Sequence, residues 1–135
     1  MAFQFSTAAR NASLDAIETT IGTSAILRIR TGAPPANCAA ARTGTVLVTM
    51  NLPSDWMAAA SGGSKAKSGT WEDLAADATG TAGYFEVMDS AGTTCGIQGT
   101  VTATGGGGDM TLDNTSIATG QAVTVTAFTI TAGGA

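Results

Sequence analysis

Hydrophobic residues follow a helical spacing before residue 22 and an alternating spacing after it. From Leu14 onward, large apolar side chains recur three and four positions apart within an alanine-rich stretch, which predicts one amphipathic helix. Ser6 or Thr7 can cap its N-terminus, and Gly22 is placed to end it. We therefore expect residues 1–22 to form an extended arm followed by a short helix.

Residues 23–135 carry the period-two pattern of β-strands. The predicted strands are residues 25–31, 45–52, 70–74, 83–89, 93–103, 109–113, 116–118 and 121–132. The fourth and fifth form a hairpin, and the last switches the face of its apolar residues, which indicates a bulge or burial on both faces. The chain is thus predicted to be one domain, residues 1–135. Its expected fold class is mostly β: an antiparallel β-sandwich or jelly roll over residues 23–135, with one short N-terminal helix.

The segments between these strands are less regular. Residues 54–60 fit either one or two helical turns or a loop. Residues 61–69 are small and polar and are expected to be mobile, and residues 77–82 read as a weak linker. The four glycines at 105–108 are expected to form a flexible hairpin loop.

The composition is poor in both charge and large apolar groups. Alanine, threonine and glycine account for about half of the chain, and charged residues for 12%, against roughly 25% in a typical soluble domain. A core made of small and β-branched side chains favours sheets. This composition indicates a structural role rather than catalysis.

The net charge of −4 is unevenly distributed. All six basic residues lie within residues 1–67, whereas residues 68–135 contain acids and no basic group. Either the halves mix in space, or the surface is polarised and docks an oppositely charged partner or another copy. Nucleic-acid binding is not expected, because the basic residues form no dense stripe.

Candidate catalytic and metal-binding residues are few. The chain has no histidine, which excludes Ser-His and Cys-His catalysis. The acid pairs Glu72–Asp73 and Asp109–Asp113 are interpreted as solvated surface groups. We expect no catalytic residues, no cofactor and no bound metal.

The cysteines and the absence of long apolar stretches in the sequence indicate the expected compartment and its redox state. No signal segment or membrane-spanning run is recognised, and no membrane partner is expected. Cys38 and Cys95 are therefore expected to be reduced and unbridged. The alternative, a disulfide between them, would add roughly 4 kcal/mol of stability.

Five residues are candidates for contact with a partner: Phe3, Phe5, Arg10, Trp56 and Met57. Phe3 and Phe5 would anchor the arm on a partner or pack against their own domain, and Arg10 would meet an acidic rim. Trp56 and Met57 follow a proline in a segment of small residues, where large apolar groups are typical interface anchors. The alternative for both is burial in the core.

Four strings in the chain carry a family resemblance: FSTAARN at 5–11, IRTGAPPANC at 29–38, LPSDWMA at 52–58 and DNTSIATGQ at 113–121. Together they resemble small virion proteins of tailed phages and prophages. The nearest likeness is to head decoration (cement) proteins, and the chain is similar to the jelly-roll cement protein of a Bordetella short-tailed phage. The strings carry no known chemistry, so the resemblance brings no catalytic residues.

The resemblance implies a non-enzymatic protein that binds the major capsid protein on the outer surface of an icosahedral head. It implies a homo-oligomer, with a dimer expected, assembled in the host cytoplasm. A tail or neck component is an alternative. So is a fibre-associated β-sandwich module that binds carbohydrate or a receptor, for which Trp56, Trp71 and Tyr84 are the available aromatic residues.

Overall fold

Ser6 and Gly22 mark the ends of helix α1, as the sequence predicts. The computed structural model describes residues 3–135, and α1 spans Thr7–Ile21. The Ser6 hydroxyl accepts a hydrogen bond from the backbone N–H of Ala9 at 3.1 Å, which satisfies one of the free donors of the first turn. Gly22 has a φ of 93° and ends the helix, a conformation that glycine adopts without strain.

Ten strands follow the helix. Their bounds are β1 Ile26–Thr31, β2 Val46–Asn51, β3 Ser64–Ala66, β4 Trp71–Asp73, β5 Gly80–Met88, β6 Cys95–Ala103, β7 Met110–Leu112, β8 Ser116–Ile117, β9 Val123–Val125 and β10 Thr129–Thr131. A mostly β chain with one N-terminal helix is therefore confirmed. Residues 54–60 form a loop rather than helical turns.

The main sheet has the strand order β2-β1-β5-β6-β7, and β8 pairs with the start of β5. The predicted hairpin is present as β5 and β6, with Tyr84 opposite Thr100 and a bulge after Val87. Two separate ribbons, β10 with β3 and β4 with β9, complete the β structure. The expected linker at 77–82 is partly wrong, because β5 already begins at Gly80.

Two expectations for the second half of the chain need correction. The predicted strand 121–132 is two strands, β9 and β10, which belong to different ribbons. The switch of apolar face marks this break and not a bulge within one strand. The glycine loop at 105–108 is not a hairpin loop either, because β6 and β7 run parallel. Gly105 and Gly107 have φ values of 88° and 79°. Glycine adopts these values without strain, so a short loop can carry the chain from the end of β6 back to the start of β7.

A chain of aromatic side chains fills the space between the main sheet and the ribbons. The ring centroids of Trp56 and Trp71 are 6.1 Å apart, those of Trp71 and Phe128 5.6 Å, and those of Phe128 and Phe85 5.4 Å. These separations lie in the favourable range for aromatic pairs. The Trp56 indole N–H donates to the carbonyl of Gly22 at 2.9 Å, so the aromatic core also holds the end of α1.

Glu86 on β5 is a fully buried acid at the centre of the main sheet. Its two carboxylate oxygens accept hydrogen bonds from Arg30 at 2.9 Å and from Arg42 at 3.3 Å. Both arginine side chains are mostly buried as well. A buried charge is tolerated only when it is paired in this way, so Glu86 fixes the positions of both arginines.

Lys65 forms a second buried ionic cluster, which joins β3 to α1. The segment 61–69 was expected to be mobile, yet it contains β3, and Lys65 is only 3% exposed. Its ammonium group lies 2.6 Å from an Asp15 carboxylate oxygen and 2.8 Å from Glu18. The hydrogen bond from Lys65, together with one from the backbone of Ala60, lowers the pKa of Asp15. Burial alone would lower the pKa of Lys65, but its hydrogen bonds to both carboxylates outweigh burial and raise it.

Replacing Glu86 tests whether its ion pairs hold the sheet together. We expect Glu86→Ala to lower the free energy of unfolding by about 3–5 kcal/mol, because it leaves two mostly buried arginines without their carboxylate. Urea denaturation measures the change. The control is Glu72→Ala, at an exposed acid on β4, for which little change is expected. Equal effects of the two substitutions would contradict this account.

The Lys65 cluster predicts a pH dependence of stability. Because the pKa of Asp15 is lowered from its ordinary 3.8, its stabilising contribution is complete above pH 3.8 and is lost as the pH falls through the lower folded value. We therefore expect Asp15→Asn to melt below the wild type at neutral pH and the two melting curves to converge below pH 3.8. Asp55→Asn, at an exposed acid, is the control. A difference of constant size on both sides of pH 3.8 would refute the prediction.

Candidate functional site

The N-terminal arm, residues 3–6, presents two aromatic side chains to solvent. Phe3 is 87% exposed and Phe5 56% exposed. The backbone N–H of Phe5 donates to the carbonyl of Gly134 at 2.6 Å. The Phe5 ring lies so close to Gly134 that a side chain there would overlap it. The arm is therefore tied to the C-terminal segment at Phe5, whose ring is just over half exposed, while the Phe3 ring is almost fully exposed.

An apolar groove lies beside the arm, between α1 and β10. It has a volume of about 480 Å³, and its walls include Phe5, Leu14, Ile17 and Ile130. A second hollow of about 280 Å³ shares Ile17 and Ile130 and reaches the buried ring of Phe128. We call the exposed rings of Phe3 and Phe5 together with this groove the arm surface.

Arg10 borders the arm surface. Its guanidinium group lies against Gly63 and donates a hydrogen bond to the Thr7 hydroxyl at 3.3 Å. The neighbouring Asn11 accepts a hydrogen bond from the backbone N–H of Gly63 at 2.8 Å. No carboxylate among residues 3–135 pairs with Arg10, and its contact with an acidic rim remains a prediction.

The structure does not bring Trp56 and Met57 to the arm surface. Trp56 is 0% exposed and Met57 1% exposed, so neither offers a surface to a partner, and we correct their assignment as contact residues. The physical reason is that the chain has few large apolar side chains, so the core also includes those of the 54–60 loop. Trp71 and Tyr84 are equally buried. The carbohydrate-binding alternative therefore loses the three aromatic residues on which it depended.

The largely exposed charges are all acidic, whereas the two buried charged residues, Lys65 and Glu86, are of opposite sign. Each lysine and arginine contacts a carboxylate, a carbonyl or a hydroxyl of its own chain: Arg10, Arg28, Arg30, Arg42, Lys65 and Lys67. The charged residues that are largely exposed are all acidic: Asp55, Glu72, Asp77, Asp109 and Asp113. The exposed charge is thus predominantly acidic, whereas three of the six basic residues form ion pairs within the fold: Arg30, Arg42 and Lys65.

The described residues offer few groups for other chemistry. Within residues 3–135, no three His, Cys, Asp or Glu side chains come together as a metal site. No helix in that range is long and apolar enough to cross a membrane. The Sγ atoms of Cys38 and Cys95, which lie far apart in the sequence, are 2.7 Å apart and unbridged. No sequence signal identified this proximity.

The exposure of the arm predicts how its residues affect stability. We expect the double variant Phe3→Ala, Phe5→Ala to unfold within about 1 kcal/mol of the wild type, because both rings are more exposed than buried. Phe128→Ala, which removes a buried ring, is the comparison and should cost about 3–5 kcal/mol. Thermal or urea unfolding measures both. A loss of several kcal/mol in the arm variant would show that the rings pack into their own domain.

Comparison of the chain with protein-family models, with curated proteins and with solved structures gives no match.

Proposed function

We propose that the chain is a non-enzymatic structural protein of a phage virion that decorates the outer surface of an icosahedral head. In this proposal it binds the major capsid protein, bridges neighbouring subunits and acts as a homo-oligomer, with a dimer expected. It is assembled in the host cytoplasm and resides on the finished virion. The ribbons packed over the main sheet form the second layer of a sandwich or jelly roll.

The arm surface is the observation that carries the proposal. Burying a phenylalanine side chain contributes about 1.5–3 kcal/mol, and Phe3 forgoes most of that and Phe5 about half of it in the isolated chain. Phe5 is nevertheless tied to Gly134 by a backbone hydrogen bond, so the arm is not a loose tail at this position. An exposed aromatic pair beside an apolar groove, tied to the domain at Phe5, is what a docking contact requires.

The acidic exterior supports the same proposal. A partner that covers this surface needs basic groups opposite the exposed acids. Each contact between an exposed acid and a basic group of the partner is weak. A shell offers many equivalent positions, however, and multivalent attachment strengthens binding without a tight single site. The absence of histidine in the sequence is consistent with a binding role.

Reconstitution on heads assembled without this chain tests the proposal. Purified wild-type protein should add to such heads in a saturable amount, measured by mass spectrometry of emptied heads separated from tails. The Phe3→Ala, Phe5→Ala variant should bind at least tenfold more weakly, because two apolar anchors are lost. Leu74→Ala is the matched control, since Leu74 is 70% exposed outside the arm surface, and it should bind like the wild type.

Two results would refute the proposal. Recovery of the chain in tails and not in heads would place it in the tail or neck instead. Wild-type binding by the folded arm variant would show that the arm surface does not contact the capsid.

A further inference from the structure

The segment between β1 and β2, residues 32–45, is the longest stretch without helix or strand in residues 3–135. It lies over the main sheet and is attached there by side-chain hydrogen bonds. Arg42 donates to Glu86 at 3.3 Å and to Gln98 at 2.9 Å. The Tyr84 hydroxyl donates to the carbonyl of Thr43 at 2.6 Å. We call residues 32–45 the cover loop.

Arg42 also shapes the cover loop from within. Its guanidinium group donates to the carbonyl oxygens of Asn37 at 2.9 Å, Cys38 at 3.1 Å and Ala40 at 2.7 Å. Gln98 on β6 donates to the carbonyl of Pro35 at 2.7 Å. These contacts fix the backbone on both sides of Cys38, so the position of its thiol is set by the fold.

Cys38 is held directly above Cys95, at the start of β6. The two sulfur atoms are 2.7 Å apart, and Arg42 reaches to 3.7 Å from the Cys95 sulfur. Both cysteines are partly exposed, so a small reagent in solvent can reach the pair. Disulfide formation therefore requires little backbone movement.

We infer that Cys38 and Cys95 form an oxidisable dithiol site whose substrates are small disulfides such as glutathione disulfide, and that oxidation clamps the cover loop to β6. The inference is independent of the proposed function. It is also compatible with two free thiols in a reducing cytoplasm, because the bridge forms only where an oxidant is present.

The reaction proceeds by two thiol–disulfide exchanges. Cys38 loses its proton to solvent, and its thiolate attacks glutathione disulfide, forming a mixed disulfide and releasing one glutathione thiolate. Cys95 then loses its proton and attacks the Cys38 sulfur, forming the protein disulfide and releasing the second glutathione. Two protein thiols are oxidised and one glutathione disulfide is reduced to two glutathione molecules. Burial and, to a smaller extent, the hydrogen bond with Cys38 raise the pKa of Cys95 to about 12, which disfavours Cys95 as the first nucleophile.

Oxidation of the full-length protein by glutathione disulfide at pH 8 tests the inference. The expected product is a monomer lighter by two hydrogens in intact mass after quenching with iodoacetamide. Trypsin cleaves only after basic residues, so Cys38 lies in peptide 31–42 and Cys95 in peptide 68–135. These two peptides should be recovered linked and should separate on reduction. The oxidised monomer should melt about 5–15 °C above the reduced one.

Two single variants test the order of attack. Cys95→Ser should accumulate a stable glutathione adduct at Cys38, whereas Cys38→Ser should react at least tenfold more slowly, because burial raises the pKa of its remaining thiol, Cys95. Equal rates for the two variants would overturn the assigned order.

Oxidation of the wild-type protein tests whether the two cysteines form a dithiol site, and this test does not rely on any variant. A persistent glutathione adduct without closure, or disulfide-linked dimers at micromolar concentration, would overturn the site. A closed monomer that melts at the same temperature as the reduced protein would overturn the clamp.

Discussion

Glu86 lies on β5, in the middle of the main sheet, with no exposed surface, and it is neutralised from two directions. Arg30 reaches it from the neighbouring strand β1, and Arg42 reaches it from the cover loop. Removing the acid would leave two mostly buried cations without a partner, which is far more costly than losing a surface ion pair. The pair of Glu86 and Arg42 is also one of the contacts that attach the cover loop to the sheet, together with those of Gln98 and Tyr84.

Ion pairs within the fold also affect the sign of the charge on the exposed surface. A chain with few basic residues places Arg30, Arg42 and Lys65 in buried or mostly buried ion pairs. Apart from Glu86, the acids of the second half form no ion pair within residues 3–135, and four of them are largely exposed: Glu72, Asp77, Asp109 and Asp113. The resulting negative surface favours partners that carry basic groups and disfavours close approach to other acidic surfaces. The ion pairing of basic residues within the fold and the acidic surface therefore both follow from the distribution of charged residues along the chain.

The distribution of aromatic side chains follows a similar logic. The chain has seven aromatic residues, and five of them are buried: Trp56, Trp71, Tyr84, Phe85 and Phe128. A core with so few large groups would gain from Phe3 and Phe5 as well, yet both remain outside beside an apolar groove. The proposed function assigns these two rings to a contact with a partner, which is why the arm surface carries that proposal.

The local sequence pattern determined the helix, its Gly22 end and the hairpin of β5 and β6, and it limited the N-terminal cap to Ser6 or Thr7, because these features depend on neighbours in the sequence. The sequence did not determine which apolar groups are buried: Trp56 and Met57 resembled surface anchors and proved to be core. It also did not show that residues 121–132 divide between two ribbons. The burial of Lys65 and Glu86 and the meeting of Cys38 with Cys95 were decided by the tertiary structure alone. Each depends on partners that lie dozens of residues away, and a spacing rule describes only residues that share one helix or strand.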